Sequence, residues 1–419
     1  MKVKVKNLSY LQVLEQPSKQ VKKPKKPSRL FRTLVRLLSI PDLVSTNFKY
    51  KEIGMDKLKK KEPIFILMNH SAFIDLKIAS KVLHARPYNI VATSDSFISR
   101  NWLMREIGCI PTKKFTTDKR LVRDMLYTIN DLKSSILMYP EAGYSFDGKM
   151  TPIPESIVKC IRMLNIPVVS IITKGAFFRQ PLYNNLRTRK VKVEAEVEYL
   201  FSKEDIEKLT DEEIYAKIIE KFSFDNFKWQ QENNILIKDK TRAEGLERIL
   251  YKCPHCLAEG QTKGVGEKLI CNACGKEYQL TEDGYMKALD GVTEFDHIPD
   301  WYNWERQCVK AEVESFELSK DVEIYMMKDT HFVYKIEDGH LCVNKNGYTL
   351  TNDNNTLEYK QPIKATHSIN VDFFWYEIGD TISIGDSKAL FFCFPKDKSN
   401  VCCKTRFFQE EMYKIETKK

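Results

Sequence analysis

The sequence of 419 residues lacks the features that would place it across a membrane or outside the cell. It has no run of about 20 apolar residues, so no helix that spans a bilayer is expected. Its start, MKVKVKNLSY, has no continuous apolar stretch of the kind that a secretory signal needs. With 42% hydrophobic and 30% charged residues, it is neither disordered nor collagen-like. We therefore expect a cytoplasmic protein whose cysteines are reduced.

Acidic residues are scarce in one place, the N-terminal segment. Residues 1–36 contain one acid, Glu15, and eleven basic residues, so they carry the whole net charge of +10. The basic residues are Lys2, Lys4, Lys6, Lys19, Lys22, Lys23, Lys25, Lys26, Arg29, Arg32 and Arg36. We expect residues 1–28 to be a mobile basic tether, because a local excess of positive charge favours an anionic surface.

A short amphipathic helix is predicted directly after this tether. Leu30–Leu38 alternates apolar residues with Arg32 and Arg36, and Pro41 is expected to end the helix. A basic segment followed by an apolar helix face predicts peripheral attachment to the inner, anionic face of a membrane.

The body of the chain is long enough for two or three domains. Short apolar runs at Pro63–Met68, Asn89–Ala92, Ser135–Tyr139 and Val168–Thr173 alternate with helical segments. This alternation predicts an α/β fold, a layered and mostly parallel sheet with flanking helices. The strict period of two in Lys190–Tyr199 predicts a strand at the edge of that sheet.

Composition divides the rest of the chain. We expect the α/β domain to span 29–249, a cysteine-containing segment to span 250–285, and a β-rich domain with a terminal helix to span 300–419. The order of short strands in the last segment resembles a pleckstrin-homology or related small barrel.

The first apolar strand ends in a motif that suits proton transfer. Asn69-His70 is followed five residues later by Asp75, at the start of a predicted helix. A carboxylate there can accept a hydrogen bond from the imidazole and fix its tautomer, so that His70 acts as a base. The sequence has no G-x-S-x-G turn, so the attacking hydroxyl is expected to belong to the substrate. By itself the motif also fits a helix cap beside an ordinary loop histidine.

Three further motifs follow in order, and together the four resemble the glycerolipid acyltransferase superfamily, typified by 1-acylglycerol-3-phosphate acyltransferases. The four blocks are Asn69-His70-x4-Asp75, Gly108–Lys114, Tyr139–Ser145 and the apolar strand Ile166–Val169. The resemblance covers about residues 30–225.

The resemblance implies acyl transfer from a thioester on coenzyme A or acyl carrier protein to a lysophospholipid-type hydroxyl, in phospholipid biosynthesis. His70 would be the catalytic base and Asp75 would orient it. The residues implied in substrate binding are Asn69, Lys113, Lys114, Glu141, Gly143 and Tyr144.

The third block departs from the family pattern. The family has Gly-Thr-Arg where this chain has Ala142-Gly143-Tyr144. Arginine is the natural bidentate ligand for phosphate, and tyrosine cannot supply its charge. The acceptor is therefore either lysophosphatidic acid held by lysines or another hydroxylated lipid.

Two C-x-x-C pairs predict a metal site. Cys253 and Cys256 are separated by 14 residues from Cys271 and Cys274, the spacing of a zinc ribbon. We expect a structural zinc bound by four thiolates; disulfides or a redox pair are the alternative.

Two other functions compete with acyl transfer. One is a catalytically weak lipid-binding scaffold, which the altered third block allows. The other is a zinc-ribbon protein associated with nucleic acid, which the near-neutral body disfavours.

Overall fold

A computed structural model describes residues 3–18, 21–116 and 118–418, so Lys2 and Lys19 of the basic segment lie outside the described residues. The strands are β1 (Val5–Asn7), β2 (Lys49–Ile53), β3 (Phe65–Met68), β4 (Tyr88–Thr93), β5 (Cys109–Thr112), β6 (Ser135–Met138), β7 (Val168–Lys174), β8 (Glu194–Phe201), β9 (Thr262–Val265), β10 (Lys268–Cys271), β11 (Glu277–Leu280), β12 (Met286–Ala288), β13 (Glu317–Met327), β14 (Val333–Asn344), β15 (Gly347–Asn352), β16 (Glu358–Gln361), β17 (Asn370–Trp375), β18 (Gly379–Gly385) and β19 (Leu390–Pro395). The helices are α1 (Tyr10–Glu15), α2 (Arg29–Ser45), α3 (Ile74–Val82), α4 (Asn101–Glu106), α5 (Lys119–Asn130), α6 (Ser156–Leu164), α7 (Ala176–Arg179), α8 (Lys203–Lys208), α9 (Asp211–Phe222), α10 (Asn226–Glu232), α11 (Ile298–Glu312) and α12 (Cys402–Lys418).

A seven-stranded sheet has the order β2-β8-β7-β3-β6-β4-β5. The strands β5, β4, β6, β3 and β7 are parallel, while β8 runs antiparallel to β7 and is followed by β2. The predicted α/β core is confirmed, with a mixed sheet. The carboxyl ends of the parallel strands meet at one edge, which is where such folds place their sites.

The prediction that Lys190–Tyr199 lies at the sheet edge is wrong. The strand is β8, and the exposed strand β2 covers it on its outer side. On the polar face of β8, the negative charge of Glu196 is compensated by ion pairs with Lys51 and Lys221. The period of two in this segment therefore indicates a strand with one charged, half-buried face.

Helix α2 does not end at Pro41 as predicted but continues to Ser45. Proline inside a helix costs about 3 kcal/mol, so tertiary contacts must stabilise this turn. Asp42 pairs with Lys77 at 2.7 Å and with Arg179, and Leu43 is buried. These contacts hold α2 against α3 and α7.

The tether predicted for residues 1–28 is also ordered over much of its described length. β1 pairs in parallel with β14, and the side chain of Val13 in α1 is completely buried. Lys328 donates hydrogen bonds to the carbonyls of Val13, Leu14 and Gln16, which lie at the end of α1. The prediction of a mobile segment is wrong because its apolar residues fit an open edge and a pocket of the C-terminal part.

A second sheet of four antiparallel strands has the order β12-β11-β10-β9, and it carries the cysteine pairs at one end. Leu269 and Tyr278 of this sheet belong to one buried apolar cluster with Phe177 near the first sheet and Val322 of β13. This cluster joins the second and third sheets to residues beside the first sheet, whose own strands contribute to two other apolar clusters.

The third sheet has the order β16-β15-β14-β13-β19-β18-β17, with β1 added beside β14. The pairs from β13 to β19 are antiparallel, and helix α12 follows and packs against β17 and β18. The β-rich character predicted for the last segment, with its terminal helix, is confirmed.

No helix among the described residues combines the length and the apolar character needed to cross a bilayer.

The docking of the N-terminal segment can be tested by truncating Val13. Val13→Ala should lower the free energy of unfolding by about 1–2 kcal/mol, because it removes fully buried methyl groups. Leu11→Ala is the control, since half of Leu11 is exposed, and it should change stability by less than about 0.5 kcal/mol. Urea unfolding measures both. Equal stability of the two variants would mean that α1 is not docked.

Candidate active site and metal site

The loop after β3 is fixed to the neighbouring strand β7. Asn69 donates from Nδ2 to the carbonyl of Thr173 at 3.1 Å, and its Oδ1 accepts from the Thr173 amide at 2.7 Å and hydroxyl at 3.0 Å. The Asn69 side chain is thus occupied by the protein, and its position places His70 at the carboxyl edge of the sheet.

His70 and Asp75 form the pair that the sequence predicts. Nδ1 of His70 lies 3.0 Å from Oδ2 of Asp75, which has no exposed surface. The same oxygen accepts from the amides of Ser71 at 2.7 Å and Ala72 at 3.0 Å. Because this carboxylate oxygen accepts, Nδ1 carries the proton and the neutral ring keeps Nε2 free to act as a base.

Two tyrosines enclose the imidazole. Tyr139 stacks on His70 with a centroid distance of 3.8 Å, and Tyr144 approaches at 4.2 Å. The His70 side chain keeps 22% of its surface exposed, so a substrate can still reach it. Burial lowers the pKa of His70, hydrogen bonding to Asp75 opposes this, and Lys114 adds to the lowering. The net effect favours the neutral ring at neutral pH, as a general base requires.

Glu141 lies beneath the histidine and binds protein groups. Its Oε1 accepts from the His70 amide at 3.2 Å, and its Oε2 accepts from the Thr151 amide at 2.9 Å. Burial raises the pKa of Glu141 to about 7. These contacts make Glu141 a positioning residue in the present structure, whereas the family resemblance implied contact with the acceptor.

The altered third block forms the turn that brings Tyr144 to His70. Ala142 has a φ of 55°, the left-handed region that favours the glycine found there in the family. Gly143 has open space where a Cβ would stand. Burial raises the pKa of Tyr144, and so do the charges of Asp75, Asp372 and Asp95. Tyr144, which stands where the family has arginine, is therefore close to carboxylates.

The two lysines of the second block bind the third sheet. Lys113 donates to the Ser387 carbonyl at 2.7 Å, and Lys114 donates to Oδ1 of Asn370 at 3.1 Å. Lys114 and Asn370 lie 256 residues apart in sequence, so no local pattern could have predicted this contact. Trp375 donates to Asp95 at 3.1 Å in the same interface, which also escaped the sequence prediction.

Comparison with known proteins agrees with this geometry. Residues 49–174 match the sequence model of the family described as Acyltransferase. The chain carries an acyltransferase domain. The matched segment contains the predicted site residues from Asn69 to Tyr144.

No curated protein matches the chain. Among solved structures, the chain is similar to the 1-acyl-sn-glycerophosphate (LPA) acyltransferase PlsC from Thermotoga maritima, at 14% sequence identity. That similarity covers 46% of this chain and 76% of the other, with a TM-score of 0.38.

Beyond the acyltransferase domain, the four cysteines predicted to bind metal lie together. All four Sγ atoms are within 4.8 Å of one another, with 3.9 Å between Cys253 and Cys274 and 3.7 Å between Cys256 and Cys271. A tetrahedral zinc with Zn–S bonds of about 2.3 Å places its sulfurs about 3.8 Å apart. The cluster therefore fits a Zn²⁺ ion bound by these four residues.

Each cysteine pair sits on a tight turn. The Leu257 amide donates to the Cys253 carbonyl at 2.9 Å, and the Gly275 amide donates to the Cys271 carbonyl at 2.8 Å. Gly275 has a φ of 76°, which glycine adopts without strain. His255, within the first pair, is exposed, and its Nδ1 lies 3.2 Å from a carboxylate oxygen of Glu294.

Zinc binding can be tested by removing one cysteine pair. We expect one zinc per chain in the wild type and none in Cys271→Ser/Cys274→Ser, because two thiolates cannot complete the site. Elemental analysis of purified protein measures this. Cys342→Ser, on β14, is the control and should keep the metal.

The double variant should also lower the melting temperature of the whole protein, because Trp301 of α11 packs on Tyr278 of the cysteine-bearing sheet and both belong to the shared cluster. Retention of zinc in the double variant would contradict the site.

Proposed function

We propose that this chain transfers a fatty acyl group from an acyl thioester, on coenzyme A or acyl carrier protein, to a hydroxyl group of a lysophospholipid-type acceptor in phospholipid biosynthesis. The observation that carries the proposal is the His70–Asp75 pair in the acyltransferase domain, with Nε2 of His70 free. The absence of a serine hydrolase elbow supports direct transfer without a covalent intermediate.

In the proposed reaction, Nε2 of His70 takes the proton of the acceptor hydroxyl as its oxygen attacks the thioester carbonyl carbon. The C–O bond forms, the tetrahedral intermediate collapses, and the C–S bond breaks. The thiolate receives the proton from His70, which returns to its neutral form. Asp75 stabilises the imidazolium in between, at 3.0 Å.

The proposal has two candidate acceptors, which differ in their head group. A 1-acylglycerol-3-phosphate would require Lys113 and Lys114 to exchange their bonds to Ser387 and Asn370 for phosphate. The carboxylate of Asp95 near Tyr144 instead favours a hydroxylated lipid without a terminal phosphate, because like charges repel. Burial raises the pKa of Asp372 to about 7, so at neutral pH it can also donate a hydrogen bond to a neutral head group.

Apolar side chains exposed on α2, on α4 and in the loop after His70 support work at a membrane surface. Leu30, Leu37 and Leu38 of α2 are 56–73% exposed, and Phe73, three residues after His70, is 52% exposed. Trp102 is 66% exposed, and its ring packs edge-on against the ring of Phe31 of α2, with 5.4 Å between the ring centroids. Exposed apolar side chains of this kind mark a contact site, and Phe73 next to His70 would let a lipid enter the site from the bilayer. We propose peripheral attachment to the inner face of a membrane through this surface.

The remaining parts are proposed to support the enzyme. We assign an acyltransferase domain to 29–249, a structural zinc ribbon to 250–285, and a β-rich domain to 300–419. The strand order of the last, closed by α12, supports a pleckstrin-homology-like barrel. Contact with nucleic acid is not expected, because the body of the chain is near neutral.

The catalytic role is tested with His70→Ala. Loss of the base should reduce acyl transfer by about 10²–10⁴-fold while leaving the melting temperature nearly unchanged. A thiol-release assay measures this with an acyl-CoA donor and a panel of lysophosphatidic acid, other lysophospholipids and uncharged monoacylglycerol. His340→Ala is the control, because His340 lies on β14, and it should keep full activity. Equal activity of the two variants would refute the mechanism, and the panel identifies the acceptor.

The membrane contact is tested with Leu37→Ser/Leu38→Ser. Removing two exposed apolar side chains should weaken sedimentation with phosphatidylglycerol-containing vesicles by roughly tenfold or more. Val265→Ser/Val292→Ser, on the remote cysteine-bearing part, is the matched control. Wild-type binding should weaken with salt but persist, because salt screens charges and not apolar contacts. Equal sedimentation of both double variants would place the membrane contact elsewhere.

A further inference from the structure

A cavity of about 830 Å³ lies at the end of the seven-stranded sheet opposite His70. Pro63, Pro87 and Ser135, at the amino ends of β3, β4 and β6, line it. Helix α2 forms its other wall. The catalytic mechanism uses none of these residues.

The wall formed by the N-terminal segment is basic. Lys26, Arg29, Arg32 and Arg36 all line the cavity. The last three follow one face of α2, at spacings of three and four residues, whereas Leu30 and Leu38 are exposed. The same helix thus presents cations to the cavity and leucines to the outside.

The opposite wall is basic as well. Lys60 and Lys61 lie in the loop before β3, Arg86 lies before β4, and Lys133 lies before β6. Glu62 is the only acidic residue lining the cavity, and it lies 3.9 Å from Lys203. Eight Lys or Arg side chains from two walls therefore converge on one space.

These cations are not neutralised within the described part of the chain, where none of the eight forms an ion pair. Arg32 donates to the His84 carbonyl at 2.8 Å, and Arg86 donates to the carbonyls of Glu62 and Lys59 at 2.8 and 2.9 Å. Elsewhere the protein pairs such groups, as with Arg179 and Asp42. Burial lowers the pKa of Arg32 and of Arg86, and the charge of Glu62 opposes this for Arg86 without forming an ion pair with it.

The interior of the cavity is partly apolar. Val35, Leu76, Ile90 and Ile107 line it together with the basic residues. Its volume lies in the range of about 300–1,000 Å³ typical of small-molecule sites, and is far larger than a single phosphate needs. The combination of eight cationic and several apolar side chains in one cavity fits a molecule with phosphate groups and an apolar part.

We propose that this cavity binds the phosphate groups of an anionic amphiphile. Two sources share this chemistry: the head group of an anionic phospholipid drawn from a bilayer beside α2, and the phosphorylated nucleotide of coenzyme A. The second source rests on the proposed acyl donor, whereas the first does not.

The proposal is tested by calorimetric binding of two probes, free coenzyme A and monomeric dihexanoylphosphatidic acid. Lys60→Gln/Lys61→Gln should weaken binding of at least one probe by about tenfold, because each lysine near an anionic group contributes about 1 kcal/mol. Arg32→Gln/Arg86→Gln should do the same. Lys287→Gln/Lys310→Gln removes equal charge at exposed sites away from the cavity and should leave binding unchanged.

The outcomes separate the two sources. Weakening for coenzyme A alone assigns the nucleotide, and weakening for the lipid alone assigns the head group. If the arginine variant does not fold, the Lys60→Gln/Lys61→Gln variant alone tests the proposal. It is expected to fold, because neither ammonium group donates a hydrogen bond among the described residues. Failure of both probes to bind, or equal weakening by the control pair, overturns the proposal. Binding is also measured with His70→Ala, so the result does not depend on acyl transfer.

Discussion

Asp75 has no exposed surface, and a carboxylate removed from water must be compensated by donors within the protein. The donors are the amides of Ser71 and Ala72 and the ring of His70, all within 3.0 Å of one oxygen. Their convergence shapes the loop between β3 and α3 and sets the tautomer of the histidine. If Asp75 were moved, two backbone amides and the proposed catalytic base, His70, would lose their partner together.

This loop is joined to two neighbouring strands by polar side chains that the protein itself satisfies. Asn69 connects the end of β3 to Thr173 on β7, and Glu141 connects the His70 amide to Thr151 after β6. The site therefore depends on the register of three parallel strands. Asn69 and Glu141, which the resemblance gives to the substrate, make hydrogen bonds in this structure that fix the loop carrying His70.

How far the sequence predicted the structure depended on the range of the interactions. The His70–Asp75 spacing, the apolar runs of the parallel strands and the paired cysteines are local patterns, and the structure agrees with them. The end of α2, the edge of the sheet and the order of residues 3–18 were wrong, because each is decided by a partner distant in sequence. Pro41 is tolerated through contacts of Asp42, and β8 is covered by β2. The binding of Lys114 by Asn370 likewise left no local signal.

The pairing of β1 with β14 also orders events during synthesis. Val13 is synthesised well before Lys328, which caps its helix and lies 315 residues later in the chain. Closing so long a loop is slow compared with forming local contacts, so the N-terminal strand is expected to dock after the acyltransferase domain has formed. Until then the basic segment is free of its folded partner. The most positively charged stretch of the chain thus remains undocked while the residues up to Lys328 are synthesised.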